Sequence, residues 1–392
     1  MYSWQQPNWP KFTWRNAAIL PAFEAAAHTR GRLAGMMAAL GFDMQLQAEL
    51  QATAEDTIKT SAIEGEVLSA AAVRSSVARR LGLPDGGAAH VDRDVEGVVE
   101  MLLDATKNHA APLDEQRLFF WHRALFPTGA SNGHKIVTGA WREGPIYVGS
   151  WKGRREIIHF EAPPAETLPG ETGKFLAWIN SLQKPTAVDS AIAHLWFVTL
   201  HPFEDGNGRI SRAIADYLLA RGDGISQRFY SMSSQIQRDR KAYYEILEAT
   251  QKGNNDITDW LLWYAKGLTA AIDHAESLAA RILEKARFYQ HHTRLGAFND
   301  RQLKVLNLMF DGKIGEEFKG AMSTAKYARI AKTSTATANR DLTDLAERDV
   351  FLRNEAGGRS TSYRLNWPPE DQAGAEEVLL NQLLSPRDEY GH

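Results

Sequence analysis

Amphipathic helical patterning runs through most of this chain and limits its fold more than any other feature. Residues 17–59 are rich in Ala, Leu, Met, Gln and Glu, and their apolar residues recur at helical spacing. The same spacing returns in five later segments, at 170–183, 189–200, 208–221, 239–251 and 256–290. The sequence therefore predicts a mainly α-helical protein.

One segment within this helical pattern has a different texture. Residues 144–149 and 157–164 predict two short strands, with a turn at 151–154 between them. An isolated β-hairpin in a helical chain is uncommon, so we expect it to have a function of its own.

The C-terminal part changes character once more. A helix is expected from Asp300, with Gly312 and Gly315 as breakers. Two short helices follow at 323–331 and 334–346, and then a strand, the Gly357–Gly358 turn and a second strand. This order is typical of a winged helix-turn-helix. With a further break at 84–87, the sequence predicts a helical N-terminal extension (1–85), a helical core (86–294) and a winged-helix domain with a tail (295–392).

Composition excludes several classes of protein. The chain has 392 residues, with 45 Lys and Arg against 48 Asp and Glu, so its formal charge of −3 disfavours polyanion binding by the whole molecule. The absence of cysteine excludes disulfides, thiolate zinc sites and a cysteine nucleophile. The apolar run at 192–200 is far shorter than the ~20 residues of a membrane span, and the first residues do not resemble a signal peptide. We therefore expect a cytoplasmic protein without membrane contact.

The loop His201–Arg212, with the sequence HPFEDGNGRISR, carries the strongest chemical signal. Gly206, Asn207 and Gly208 permit positive φ, and their N–H groups at the start of the next helix form an anion site. Arg209 and Arg212 lie one turn apart on the same helix face, and two guanidiniums beside such a site indicate a polyphosphate ligand.

Three further side chains complete this pattern. Asp205 offers the oxygen ligand that a phosphate-bound Mg²⁺ prefers, and His201 can accept a proton near neutral pH. Phe203 is expected to point into the core. Each of these residues alone has an ordinary structural explanation, but their combination within twelve residues points to phosphate chemistry. No Gly-Lys-Ser/Thr follows, so the loop is not a P-loop.

This loop resembles the signature of the Fic (filamentation induced by cAMP) family: His, any residue, Phe, any residue, an acid, Gly-Asn-Gly-Arg, two residues and Arg. Every specified position is matched. The resemblance implies a helical Fic core and a protein adenylyltransferase that moves AMP from ATP to a Tyr, Thr or Ser hydroxyl of a target protein. It implies His201 as the base, Asp205 as the Mg²⁺ ligand and residues 206–208 as the phosphate cradle. Arg209 and Arg212 are then expected to contact the β- and γ-phosphates.

Three other segments resemble parts of the same family. Thr60-Ser-Ala-Ile-Glu64-Gly65 is similar to its inhibitory motif, in which the Glu pairs with the second loop arginine, here Arg212. The 144–160 hairpin is similar to the flap that aligns the target's main chain by strand addition, with Ile146, Val148 and Trp151 as candidate contacts. Tyr243 and Tyr244 lie where family members often place adenine-contacting residues, although aromatic residues of an amphipathic helix are commonly core.

Several functions stay open at this stage. The same residues suit removal of AMP, with Glu64 orienting a water, and a bifunctional enzyme that does both. The phosphate site also suits transfer of UMP or phosphocholine. The target protein and the oligomeric state are open too. The protein itself is one candidate target, and a homodimer is one candidate oligomeric state. The alternative that is not an enzyme is a DNA-binding regulator that senses nucleotide.

The C-terminal module leaves DNA binding unresolved. Residues 300–366 contain 12 Lys and Arg and 9 Asp and Glu, a local charge of +3. The second short helix offers Asn339 and Arg340, but its Asp341 and Asp344 oppose phosphate contact. Three arginines of the wing, the two strands and the turn between them, are candidate phosphate ligands: Arg353, Arg359 and Arg364.

Overall fold

The computed structural model describes residues 1–83, 91–152, 155–294, 296–312, 321–354 and 361–367, without the side chains at 43, 150–152, 155–156, 281–283, 286 and 311–312. The predicted break at 84–87, Gly315, the Gly357–Gly358 turn and Arg359 lie outside the described residues, as does the Trp151 side chain. The chain divides into two compact units, Met1–Ala279 and Ala280–His392. The domain boundaries inferred from sequence texture, after residues 85 and 294, stay predictions.

The first unit is built from helices, as the sequence predicts. They are α1 (Asn16–Ala38), α2 (Phe42–Ile63), α3 (Ala70–Arg80), α4 (Arg93–Lys107), α5 (Glu115–Leu125), α6 (Leu168–Ser181), α7 (Ala187–Leu200), α8 (Asn207–Asp223), α9 (Met232–Arg238), α10 (Arg240–Gln251) and α11 (Thr258–Thr293), which continues past residue 279. The helical segment at 17–59 is two helices, because the chain turns at residues 39–41 and Gly41 caps α2. Within the described ranges, no helix is both long enough and apolar enough to cross a membrane.

The centre of this unit is the helix pair α7 and α8. Every residue of α7 from Ser190 to Leu200 is buried, and Leu200, Ile214 and Leu218 have no measurable exposure. Full burial of one such side chain contributes about 1.5–3 kcal/mol. The Ser190 hydroxyl also donates to the Ala215 carbonyl across the pair, at 2.8 Å. The loop that connects α7 to α8 is therefore held from both ends by buried helices.

Two antiparallel hairpins lie between α5 and α6. The short one pairs β1 (Ala130–Ser131) with β2 (His134–Lys135), and the longer one pairs β3 (Tyr147–Lys152) with β4 (Arg155–Glu161). In the longer hairpin the register shifts between Val148 and Gly149. Its Phe160 is buried, whereas Tyr147, Ile157 and Ile158 are exposed.

The N-terminal segment packs against the same unit through its aromatic residues. The Trp4 indole donates to the Glu161 carbonyl at the end of β4, at 2.8 Å, and the Tyr2 ring packs edge-on to Phe160. The Trp9 indole donates to a carboxylate oxygen of Glu171 in α6, at 2.9 Å. Trp4 and Trp9 thus attach this segment to β4 and α6.

The second unit has the winged helix-turn-helix order. It contains α12 (Asp300–Gly312), β5 (Met322–Ser323), α13 (Thr324–Ala331), α14 (Thr335–Glu347), β6 (Phe351–Arg353) and β7 (Ser362–Leu365). The strands form one antiparallel sheet in the order β5-β7-β6. Its core includes Tyr327, Leu342, Leu345 and Phe351, so the helices and the sheet bury a common apolar cluster.

Candidate active site

The loop between α7 and α8 has a defined backbone shape. It begins at His201, which is left-handed (φ 48°, ψ 55°), and ends at Gly206, with φ 81°, which caps α8. The Asn207 side chain closes the loop, because its Oδ1 accepts from the Phe203 N–H at 2.9 Å and its Nδ2 donates to the Phe203 carbonyl at 2.8 Å. Asn207 is buried, so its side chain shapes the loop, while the first N–H groups of α8 have no acceptor within the helix.

His201 is set up as a proton acceptor. Its Nδ1 lies 3.1 Å from the Val198 carbonyl oxygen, which can only accept, so Nδ1 carries the hydrogen. The other ring nitrogen, Nε2, is left with its lone pair. Burial lowers the pKa of His201 below its usual value, and the nearby Arg142 acts in the same direction. The neutral form with a basic Nε2 is therefore favoured at neutral pH.

Arg142 fixes the backbone around this histidine. It is 2% exposed, and its guanidinium donates to the carbonyls of His201 (2.8 Å), Gly144 (2.7 Å) and Pro163 (2.6 Å). Its own N–H donates to the Pro202 carbonyl at 2.9 Å. One buried side chain thus joins the left-handed turn to both ends of the β3–β4 hairpin.

His122 supports the other side of the loop. Its Nδ1 accepts from the Gly139 N–H at 3.0 Å, so its Nε2 carries the hydrogen that reaches the Asp205 carbonyl at 3.1 Å. Its ring stacks on Phe203, with centroids 4.1 Å apart. Burial lowers the pKa of His122 to about 4, which keeps the ring neutral. Phe203 is fully buried, as expected from the sequence.

Asp205 is the acidic residue at the mouth of the loop. One carboxylate oxygen accepts from the Gly206 N–H at 2.5 Å, and the other accepts from the Ser131 hydroxyl of β1. The Arg209 guanidinium lies 3.8 Å away. Within the described ranges no three His, Asp or Glu side chains cluster as a protein-only metal site would. Asp205 can still serve a Mg²⁺ whose other ligands are phosphate oxygens and water.

Two buried arginines on α8 are each engaged by a carboxylate. Arg212 is 3% exposed, and its guanidinium donates to Glu64 Oε1 at 2.8 Å and to the Thr60 hydroxyl and carbonyl at 2.7 and 2.9 Å. Arg209 is 2% exposed and donates to Glu66 Oε2 at 2.6 Å. Its Nε has no partner among the described residues, which leaves a donor for another oxygen.

Glu64 and Glu66 occupy the turn that follows α2. Gly65 between them has φ 89°, a conformation that favours glycine. A Cβ at Gly208 would lie 2.2 Å from Glu64 Oε1, so the absence of a side chain there admits the carboxylate. Burial raises the pKa of Glu66, while Arg209 lowers it and the neighbouring Asp205 and Glu64 raise it further.

The helix that carries this turn is firmly attached. Thr57, Thr60 and Ser61 in its last two turns have no exposure. Asp56 accepts hydrogen bonds at the start of α9, from the Ser231 hydroxyl at 2.5 Å and the Ser233 N–H at 3.3 Å. The turn at residues 64–66 thus begins from a fixed helix end.

Tyr243 and Tyr244 on α10 lie beside the same arginine but differ in exposure. Tyr243 is 1% exposed, and its hydroxyl meets His194 Nε2 at 2.9 Å. Tyr244 is 38% exposed and donates to the Ile63 carbonyl at 3.3 Å. Burial raises the pKa of both phenols, and the nearby Arg212 opposes that shift. Of the two, Tyr244 has the surface that a base could contact.

The structure brings together the side chains that the sequence placed in one site and adds four others. His201, Asp205, Arg209 and Arg212 lie on the α7–α8 loop or in the first turns of α8, and Glu64 reaches this site through Arg212. Four side chains of the site were not predicted from the sequence: Arg142, His122, Ser131 and Glu66. Only Glu66 had a sequence signal, since it directly follows the Thr60–Gly65 motif, whose Glu64 is expected to face Arg212.

Comparison with known proteins identifies two families along the chain. Residues 2–83 match a domain of unknown function, DUF4172, and residues 112–219 match the Fic/DOC family. A uridine 5'-monophosphate transferase of Xanthomonas campestris pv. campestris (strain 8004) is 31% identical over 119 residues, which cover 28% of this chain and 22% of that protein. A protein adenylyltransferase Fic of Aedes aegypti is 28% identical over 223 residues, covering 53% and 39%.

Similarity to a solved structure supports the fold. A Fic family protein from Desulfovibrio desulfuricans G20 superposes with a TM-score of 0.52 at 20% identity, over 92% of this chain and 99% of that one. The curated relatives are matched over less than half of their own lengths. The loop signature, the two family matches and the shared fold agree, and the chain is a Fic/DOC family protein with an N-terminal DUF4172 domain.

Proposed function

We propose that this protein is a nucleotidyltransferase that moves AMP from ATP to a Tyr, Thr or Ser hydroxyl of a target protein, and that Glu64 restrains it. One observation carries the proposal. A histidine with a fixed tautomer and an Nε2 lone pair begins the loop that leads into α8, and two buried guanidiniums in the first turns of α8 already bind carboxylates. These guanidiniums therefore form a site for anionic groups, and a proton acceptor lies on the loop that precedes them.

The residues divide the reaction between them. Nε2 of His201 accepts the proton of the target hydroxyl, whose oxygen attacks the α-phosphorus of ATP. The bond from that phosphorus to the bridging oxygen breaks, and pyrophosphate leaves. Arg209 and Arg212 neutralise the charge that accumulates on the leaving group. The first N–H groups of α8 bind phosphate oxygens at the positive end of the helix dipole.

Mg²⁺ fits this site as a companion of the nucleotide. Asp205 supplies one carboxylate beside the phosphate cradle, which is the protein contribution typical of a phosphate-bound Mg²⁺. The metal would neutralise phosphate charge, while Ser131 and the Gly206 N–H hold the carboxylate in place.

The β3–β4 hairpin suits recognition of the target. Among the described residues it is a two-stranded sheet, so each strand has one edge without a paired strand, and an extended segment can add to such an edge. Tyr147, Ile157 and Ile158 are exposed apolar side chains on it. Arg142 ties both ends of this hairpin to the His201 turn, so a segment bound there is held in a fixed relation to the base.

Glu64 restrains the enzyme by competing with phosphate. Its carboxylate occupies the Arg212 guanidinium that the terminal phosphate of ATP would use, and one guanidinium face binds one anion at a time. We expect removal of this carboxylate to increase transfer.

UMP transfer is the second candidate. It is favoured by the similarity to the uridine 5'-monophosphate transferase of Xanthomonas, since the phosphate cradle does not recognise the base. The base contacts, for which Tyr244 is the candidate, decide between the two nucleotides.

The test is labelling with α-³²P-labelled ATP, UTP, GTP and CTP in the presence of Mg²⁺, using the chain itself and a cell lysate as acceptors. We expect Glu64→Gly to transfer more label from ATP than the wild type, and Glu64→Gly combined with His201→Ala to transfer none. Label from UTP in preference to ATP would establish the second candidate. If no variant transfers label from any nucleotide, although calorimetry detects nucleotide binding, the transferase proposal is wrong and removal of AMP from a pre-modified target is tested next.

A further inference from the structure

Asp341 and Asp344, the acidic residues of α14 that oppose phosphate contact, are both paired within the second unit. Asp341 is 5% exposed and binds inside its own unit. Arg301 donates to both of its carboxylate oxygens, at 2.8 and 3.0 Å, and the Tyr327 hydroxyl donates to it at 3.1 Å. These hydrogen bonds, with Arg301 the main cause, hold the pKa of Asp341 below its usual value. Its charge is thus neutralised by partners within the fold.

Asp344, one turn further along, is also paired, although its side chain is 46% exposed. The Gln302 amide donates to its Oδ2 at 2.7 Å, and the Arg348 guanidinium donates to the same oxygen at 3.3 Å. Asp341 therefore belongs to the packing between α12 and α14, and the charge of Asp344 is paired at the edge of that packing.

The opposite face of α14 is exposed and has a different chemistry. Buried residues recur along one side of the helix, at Ala338, Leu342 and Leu345. The exposed stripe comprises Ala336, Asn339, Arg340 and Thr343, with Glu347 at the C-terminal end of the helix. Over the first two and a half turns of α14, this stripe contains one arginine, two polar side chains and the alanine methyl group, and no acidic residue.

These side chains match the edges of base pairs. Arginine binds guanine O6 and N7 with two hydrogen bonds, asparagine pairs in the same way with adenine N6 and N7, and alanine and threonine contact the thymine methyl. The Thr324 hydroxyl donates to Asn339 Oδ1 at 2.8 Å, which orients the amide and leaves its NH₂ group and a lone pair available. α14 has 13 residues and is about 20 Å long, a size that a B-form major groove accepts.

The wing supplies positive charge next to this helix. Arg353 on β6 and Arg364 on β7 are exposed, and Arg364 pairs across the sheet with Leu352. Lys332, in the turn that joins α13 to α14, is exposed as well. Basic residues around a reading helix are the groups that bind phosphates and fix the register on a duplex.

We propose that the second unit binds double-stranded DNA, with the exposed face of α14 in the major groove and Arg353 and Arg364 on the phosphates. B-form DNA is the favoured duplex, because the major groove of A-form RNA is too deep and narrow for a helix. This inference is independent of the transferase reaction.

The test uses the full chain and a library of 30-base-pair DNA duplexes with 16 random central positions. After several rounds of pull-down, fluorescence anisotropy compares a selected duplex, a scrambled duplex of equal composition and a duplex RNA of equal length. We expect the selected duplex to bind at least 100-fold more tightly than the scrambled one at 150 mM salt, in keeping with specific DNA-binding proteins.

Point variants separate base reading from phosphate contact. Arg340→Ala and Asn339→Ala should each weaken binding of the selected duplex about tenfold or more and leave the scrambled duplex little changed. Arg364→Gln should weaken both duplexes alike and reduce the log–log salt slope by about 0.9. Lys241→Gln, which removes a fully exposed charge in the first unit, is the matched control and should change neither affinity.

Three outcomes would overturn the proposal. They are the absence of any enriched sequence, equal affinity for duplex RNA, and an Arg340→Ala variant that binds the selected duplex as the wild type does. Arg340 and Asn339 are exposed, so their variants are expected to fold, and their melting temperatures check this. If one of them fails to fold, the other decides.

Discussion

Glu66 is expected to restrain nucleotide binding alongside Glu64, although it lies outside the inhibitory motif. Its carboxylate meets Arg209 at 2.6 Å, and Arg209 is one of the two guanidiniums assigned to the phosphates. Glu66→Gln removes the negative charge while keeping the size of the side chain. We expect this variant to bind ATP more tightly than the wild type.

The structure sets the size of the effect. A hydrogen bond between charged groups contributes about 1.5–3 kcal/mol when protected from water, whereas an exposed ion pair contributes about 0–1 kcal/mol. Here Arg209 is buried, with 2% exposure, but the Glu66 side chain is 34% exposed. An intermediate value of about 1 kcal/mol follows, which corresponds to roughly a fivefold gain in affinity.

Isothermal titration with α,β-methylene-ATP and Mg²⁺ measures this gain without turnover. Glu24→Gln, which neutralises an exposed acid on α1, is the matched control and should bind as the wild type does. The pKa of Glu66 is raised, so acidification protonates this carboxylate above its usual pH range. The difference in nucleotide affinity between Glu66→Gln and the wild type should therefore become smaller as the pH falls towards 5.

The result that refutes this reasoning is an unchanged or weaker affinity of Glu66→Gln at pH 7.5. Either would mean that Glu66 does not compete with phosphate, and that its contact with Arg209 positions the guanidinium for the nucleotide instead.

Three further predictions concern the loop and its supports. Because burial lowers the pKa of His201, the rate of transfer should stay at its full value as the pH falls to about 6.5. The acidic limb of a kcat/KM–pH profile should therefore lie below pH 6.5. A limb centred above pH 6.5 would contradict this prediction. Gly206→Ala places a Cβ 2.9 Å from the Phe126 ring on a residue whose φ is 81°. Thermal unfolding should therefore show a free energy of unfolding that is lower by about 1–3 kcal/mol. An unchanged melting temperature would argue against that strain. Arg142→Met leaves three buried carbonyls without their donor, so chemical denaturation should show a loss of stability of about 3 kcal/mol or more. The kcat of this variant should also fall further than that of Arg142→Lys. A stability equal to that of the wild type would show that the guanidinium is dispensable.

The sequence predicted the parts of the site that are local in the chain. The spacing of apolar residues located α7 and α8, and the signature that joins them set the order of His201, Asp205, the glycines and the two arginines. Arg209 and Arg212 lie one turn apart, so helix geometry alone placed both on one face. The hairpin was recognisable too, because its β-branched residues and glycines interrupt the helical pattern.

The supports of the loop could not be predicted, because their partners are distant in sequence. Arg142 binds the carbonyl of a residue 59 positions away, and His122 reaches one 83 positions away. A lone arginine or histidine has no sequence pattern that separates such a role from an ordinary surface or core position. The two-residue strands β1 and β2 and the seven-residue α9 are likewise too short to show a period.

The fixed attachment of α2 has a consequence for how inhibition is relieved. The last two turns of α2 are buried and hydrogen-bonded to the start of α9, so the helix can stay in place. The carboxylates of Glu64 and Glu66 can leave the arginines through movement of residues 64–66 alone, with Gly65 as the point of rotation. Loop motions of this size take nanoseconds to microseconds, whereas enzymes turn over about 1–1,000 times per second. We therefore expect blocked and open forms to equilibrate many times within one catalytic cycle, and product to form without a lag after nucleotide is added.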